Sequence, residues 1–146
     1  DRSVSRGLGD VYKRQLLKPG RLTDEEFEVM KQHTVAGCEI IDRIIGNVEH
    51  EEYVDIARKI ARYHHERWDG TGYPDGLSGE EIPLCARIMA LADVFDALYQ
   101  DRCYKKAIRP ASKVFEIIKE NSGSQFDPNL TEIFLELQRE ITDISE

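Results

Sequence analysis

The chain has 146 residues, of which 40% are hydrophobic and 33% charged, and its formal net charge is −8. This length supports one domain with its own core, and the composition fits a soluble, mostly helical protein. The acidic balance excludes general attraction to nucleic acid polymers or anionic membranes, and no apolar run approaches the ~18–20 residues of a membrane span. Cys38, Cys85 and Cys103 are too few and too scattered for a disulfide framework or a paired-cysteine metal site. A reducing, cytoplasmic setting is the expectation.

Residues 1–15 have no hydrophobic period, and Asp10-Val11-Tyr12-Lys13-Arg14-Gln15 reads as a translated sequencing adapter. They are expected to be non-native, leaving 16–146 as the domain. Four of the 20 basic and two of the 28 acidic residues lie in that stretch, so the remainder carries a net −10. Pro19-Gly20 signals a turn. Thr23-Asp24-Glu25-Glu26 is a capping box that opens a helix with Phe27 and Met30 on its apolar side, and His33 at or just beyond its end. A second helix is expected from about Val35 to Ile45, burying Ile40, Ile41, Ile44 and Ile45, with Gly46-Asn47 as its stop. A third, roughly Glu51 to His65, buries Tyr53, Val54, Ile56, Ala57, Ile60 and Ala61.

Residues 66–82 hold Gly70, Gly72, Pro74, Gly76 and Gly79, a density of breakers that predicts a long ordered loop or a lid. Pro83 starts a helix with Ile88, Leu91, Ala92, Phe95 and Leu98 as its stripe, interrupted by Asp93 and Asp96. A basic connector follows. Pro110 opens a helix with Val114, Phe115, Ile117 and Ile118 inside, stopped by Gly123. Asp127-Pro128 caps a last helix to about Ile141 that buries Leu130, Ile133, Phe134 and Leu137. The fold class expected is an all-α bundle of about five to six helices with a long glycine-rich loop.

His33, His64, His65 and Asp93 each sit beside an apolar stripe, and they are the candidate metal ligands. Imidazole and carboxylate without thiolate suit iron, manganese or another borderline or hard divalent ion. Helices carrying inward-facing His and carboxylate groups are a common way to build a dinuclear site in a bundle. Adjacent helical residues point about 100° apart, so His64 and His65 are expected to serve two metals, or one metal and one substrate oxygen. Asp93 alone also fits a structural pair with Arg87 or Arg102. The cluster Arg102, Lys105, Lys106 and Arg109 reads either as a solvated helix end or as a phosphate clamp.

The run from His64 through Gly72-Tyr73-Pro74 to Gly76 resembles the signature of the HD-GYP domain. The likeness extends over Lys18-Pro19-Gly20-Arg21-Leu22, Met30 to His33, Leu77 to Pro83, Ala90 to Leu98 and Asp101 to Ala107, and so over nearly all of residues 16–138. The resemblance implies an HD-superfamily bundle from a bacterial phosphodiesterase that hydrolyses cyclic di-GMP to linear pGpG or GMP with two or three divalent metal ions. By position, His33, His64, His65 and Asp93 then resemble the metal ligands. Arg102 and Lys105 resemble phosphate contacts, and Gly72, Tyr73 and Pro74 resemble the loop that shapes the substrate pocket. Implied partners are a diguanylate cyclase and an upstream receiver or sensor domain.

Two departures stand out. The family's His-Asp dyad and the lysine after it have no match in residues 1–15, and neither does an earlier ligand segment, so no catalytic residue is assigned. Truncation at the adapter-like stretch is the expected cause, and the chain by itself is expected to be inactive and less stable. Cys103 also stands where the family usually has proline. The alternatives are a non-catalytic module that senses cyclic di-GMP or docks a protein, and another HD-superfamily phosphohydrolase.

Overall fold

The computed structural model describes residues 22–45, 51–100 and 106–145. Expectations for the adapter-like stretch, Gly46-Asn47, Arg102, Cys103 and Lys105 fall outside them. The described residues form α1 (Asp24–Ile45), α2 (Glu51–Tyr63), a short 3₁₀ turn (Gly79–Glu81), α3 (Leu84–Tyr99), α4 (Ala111–Glu120), α5 (Pro128–Glu136) and α6 (Gln138–Ser145). They contain two isolated β-bridges and no strand, so the all-α expectation is borne out. No described helix is long and apolar enough to cross a membrane.

The N-terminal cap is the one read from sequence. Thr23 N–H donates to Glu26 Oε2 at 2.8 Å, and Glu26 N–H donates back to Thr23 Oγ1 at 3.2 Å. The expected break near His33 is absent, because α1 runs unbroken through it. Thr34, fully buried, gives its hydroxyl to the Lys31 carbonyl at 2.9 Å and so needs no partner outside the helix. Gly37 packs against α2, its position facing the Ala61 side chain. Arg58 and Asp42 pair across the same contact.

The helices pack in chain order: α1 on α2, α2 on α3, α3 on α4 and α5, and α6 on α5. The main core joins Leu91, Phe95 and Tyr99 of α3 to Val114, Phe115 and Ile118 of α4 and to Phe126. Asp127 caps α5 through Oδ1, which accepts from Asn129 N–H at 2.9 Å, while Oδ2 accepts from Arg87 at 2.6 Å. Arg87 is therefore committed to Asp127 rather than to Asp93.

Several stripes differ from expectation. Ile40, Ile44, Tyr53, Ile56, Ile88, Ile133 and Leu137 are exposed, since helical period marks a face and does not supply a neighbour to cover it. The last helix is interrupted at Leu137, whose φ of −81° and ψ of 7° leave the helical range. Its N–H still reaches the Ile133 carbonyl at 3.2 Å, and Ile141 N–H reaches the Leu137 carbonyl at 3.0 Å, so the ladder passes through the interruption.

Candidate metal centre

The third helix was expected to reach His65, but α2 stops at Tyr63. His64 and His65 sit in the turn beyond it, where the 100° helical offset no longer separates them. Their rings lie 4.1 Å apart, and His33 of α1 approaches from the other side with ring centroids 5.4 Å from His64 and 5.0 Å from His65. One ligand atom from each of the three imidazoles falls within a 4.8 Å group.

The backbone fixes how these rings face. His33 Nδ1 lies 2.6 Å from the Met30 carbonyl, and His64 Nδ1 lies 2.9 Å and 3.1 Å from the Ile60 and Ala61 carbonyls. A carbonyl can only accept, so each Nδ1 carries the hydrogen and each neutral ring is left with a lone pair on Nε2. Those two Nε2 atoms face each other at 3.4 Å. Two acceptors at that distance need a cation or proton between them. Two nitrogens each ~2.0–2.1 Å from a tetrahedral ion stand roughly 3.4 Å apart, so the pair fits a metal. Imidazoles that give their other N–H to a carbonyl are oriented as metal ligands usually are.

Burial, and then repulsion from His64 and His33, pushes the pKa of His65 down to about 3, which keeps this ring neutral and able to donate a lone pair. His64, His65, Gly72, Tyr73 and Asp93 line one cavity of about 300 Å³. Asp93 is on that wall, but its carboxylate is outside the 4.8 Å group of histidine nitrogens. Tyr73 stacks obliquely on His65 with centroids 4.9 Å apart. Its burial, reinforced by the negative charge of Asp93, raises the phenol to about 12, so the hydroxyl keeps its proton.

The glycine-rich loop is ordered by a residue the sequence reading left without a role. Glu66 is buried at 3% exposure. Its Oε1 accepts from Asp75 N–H at 2.7 Å and Gly76 N–H at 3.1 Å, and its Oε2 accepts from Leu77 N–H at 3.1 Å. Three backbone donors on one carboxylate tie residues 75–77 to the turn that carries His65. The sequence signal is faint: an acid directly after the histidines, at the mouth of a loop rich in free N–H groups. Gly72 folds back so tightly that a Cβ there would fall on the Glu66–Arg67 backbone. Gly70 and Gly76 adopt φ of 79° and 70°, open only to glycine at little cost. Arg62 clamps Asp75 through two bonds of 2.9 Å and 2.8 Å, and Trp68 and Asp69 donate to the Gln125 and Ser124 carbonyls. The loop is thus fastened to both α2 and the α4–α5 turn.

Gly72, Tyr73 and Pro74 all belong to this fastened loop, and the Tyr73–Pro74 peptide is cis. Arg109, from the basic cluster, lies over the Tyr99 ring at 3.9 Å and lines a separate cavity. Arg102 and Lys105 lie outside the described residues.

A family described as "HD domain" matches residues 9–130. The chain belongs to the HD-domain family. This HD domain is 50% identical over 133 residues to a cyclic di-GMP phosphodiesterase of Vibrio cholerae, covering 89% of the chain and 26% of the relative. It is 47% identical over 131 residues to a cyclic di-GMP phosphodiesterase of Thermotoga maritima, covering 90% of the chain and 34% of the relative. A 3′3′-cGAMP-specific phosphodiesterase 2 of Vibrio cholerae is 40% identical over 121 residues, covering 83% of the chain and 22% of the relative. The HD domain thus spans between about a fifth and a third of the length of these relatives. The family resemblance read from the sequence is borne out.

Proposed function

We propose that this domain serves a metal-dependent phosphodiesterase that opens cyclic di-GMP to linear pGpG or GMP in bacterial second-messenger signalling. The observation that carries the reading is the pair of facing Nε2 lone pairs on His33 and His64, with His65 beside them. These three imidazoles would hold divalent ions, iron or manganese by the donor chemistry, two or three in number. Asp93, on the same wall, would add a carboxylate. An ion held there supplies Lewis acidity that offsets charge on phosphoryl oxygens and eases deprotonation of water.

The chain's own groups then position the substrate. Tyr73 keeps its hydrogen and can donate it to a phosphate oxygen. Gly72 and Pro74 hold that tyrosine against His65, and Arg102 and Lys105 would bind phosphate as cations. Among the described residues three imidazoles converge, fewer ligands than two ions use, so turnover by the chain alone is expected to be slight. A diguanylate cyclase and an upstream receiver or sensor domain fit the same reading as partners. Names among the relatives bring in a second cyclic dinucleotide, so substrate choice belongs in the test.

Calorimetric titration with Mn²⁺ should show saturable binding that His64→Ala weakens at least tenfold. Hydrolysis of cyclic di-GMP and of 3′3′-cGAMP by the full-length protein should favour the former and vanish in His65→Ala. Turnover that survives His65→Ala overturns the assignment.

A further inference from the structure

The cavity beside the histidines has a second wall that metal binding leaves unused. Phe27 and Lys31 stand at i and i+4 on α1 and share a face of that helix. Both line the cavity that holds His64, His65 and Asp93. Phe27 leaves 43% of its surface exposed. It meets Tyr73 edge-on, with centroids 5.9 Å apart and planes at 84°. Lys31 Nζ stands 5.0 Å from the Phe27 centroid and 5.8 Å from that of Tyr73. Its ion pair with Glu28, at 2.6 Å, is solvent-facing on the Glu28 side and holds it weakly.

A nucleotide presents two chemistries at once, a flat π-face and an anion. A metal cluster takes the anion and offers nothing to the base. An exposed ring with a cation over it, lining the same cavity as His64 and His65, supplies the missing half: aromatic rings stack on bases, and an ammonium serves phosphate as a point charge.

We propose that Phe27, flanked by Tyr73 and Lys31, is the stacking platform for one purine base of the substrate, so that it determines affinity for the nucleoside part and not for phosphate. The proposal rests on the phosphodiesterase reading above and adds the residue that recognises the base.

The test uses the Mn²⁺-loaded chain and two probes, cyclic di-GMP and inorganic phosphate, with Kd measured by calorimetry. Phe27→Ala should weaken cyclic di-GMP binding roughly ten- to hundredfold and leave phosphate binding unchanged. Phe27→Trp, which keeps a π-face, should restore it. Lys31→Gln should weaken both probes. If Phe27→Ala binds the dinucleotide as tightly as the unaltered chain, or loses both probes equally, the platform is overturned and the phosphodiesterase reading stands. An unaltered chain that does not bind cyclic di-GMP overturns the platform, while the phosphodiesterase reading then stands or falls on the hydrolysis assay above.

Discussion

In the C-terminal half, Leu91, Phe95, Val114, Phe115, Ile118 and Phe126 are buried against one another. In the α1–α2 pair, Thr34 and Val54 are the buried residues among those described, while Ile40, Ile44, Tyr53 and Ile56 stay exposed. The candidate site sits on the seam. His33 comes from the pair with few buried side chains, whereas Asp93 comes from a helix at the centre of the core. His64 and His65 are drawn toward the core side by a loop fastened at Trp68 and Asp69. The contrast teaches that this site spans two regions of unequal burial, and that its geometry draws on the more exposed one.

The largest effect should come from breaking the buried side. Phe115→Ala removes a ring that is 2% exposed and should cost about 3–5 kcal/mol in a denaturant melt. A loss below ~1 kcal/mol would erase the contrast. Next is the fastening itself. Glu66→Ala strips the acceptor from three N–H groups on exposed or half-buried residues and should cost roughly 1.5–3 kcal/mol, the range for hydrogen bonds to a charged group. It should also weaken Mn²⁺ binding, because Tyr73 and His65 share that loop.

A smaller effect is set by pH. In the metal-free protein the His65 pKa falls from 6.5 to about 3 through burial and the neighbouring His64 and His33. The unfolded chain therefore takes up this proton first as pH drops. Stability is unaffected by the group above pH 6.5 and declines as pH falls from there toward 3. Melts at pH 7 and pH 5 should show a steeper loss in the unaltered chain than in His65→Asn; equal slopes contradict the assignment of a half-buried neutral ring. The smallest effect should be Ile44→Lys on the more exposed side. Ile44 is 73% exposed, so the change should stay within about 0.5 kcal/mol. A larger cost would mean that the α1 face is covered in solution.

What could be read from the sequence was local. The Thr23 capping box, the Asp127-Pro128 start and the glycine-rich loop each follow from a few adjacent residues, and each is present. What could not be read depended on distant partners. The unbroken course of α1 past His33 needs a buried Thr34 satisfied within its own turn. The exposure of Ile40 and Ile44 depends on what packs above them, which no period reports. The histidines were legible as a set expected to converge, but the side-by-side placing of His64 and His65 was not, because it turns on α2 ending two residues earlier than its apolar pattern suggests.

That early stop has a consequence of its own. Carbonyls in the final turn of a helix run short of following backbone donors. In α2 the Ile60 oxygen accepts the His64 backbone N–H at 3.2 Å, and the His64 imidazole adds its Nδ1–H to the Ile60 and Ala61 oxygens. Helix length therefore acts as an aiming device for the ring. One residue inserted between Tyr63 and His64 would leave every donor atom chemically intact and still swing this nitrogen off target, so the spacing deserves the same status as the ligands in any redesign of the domain.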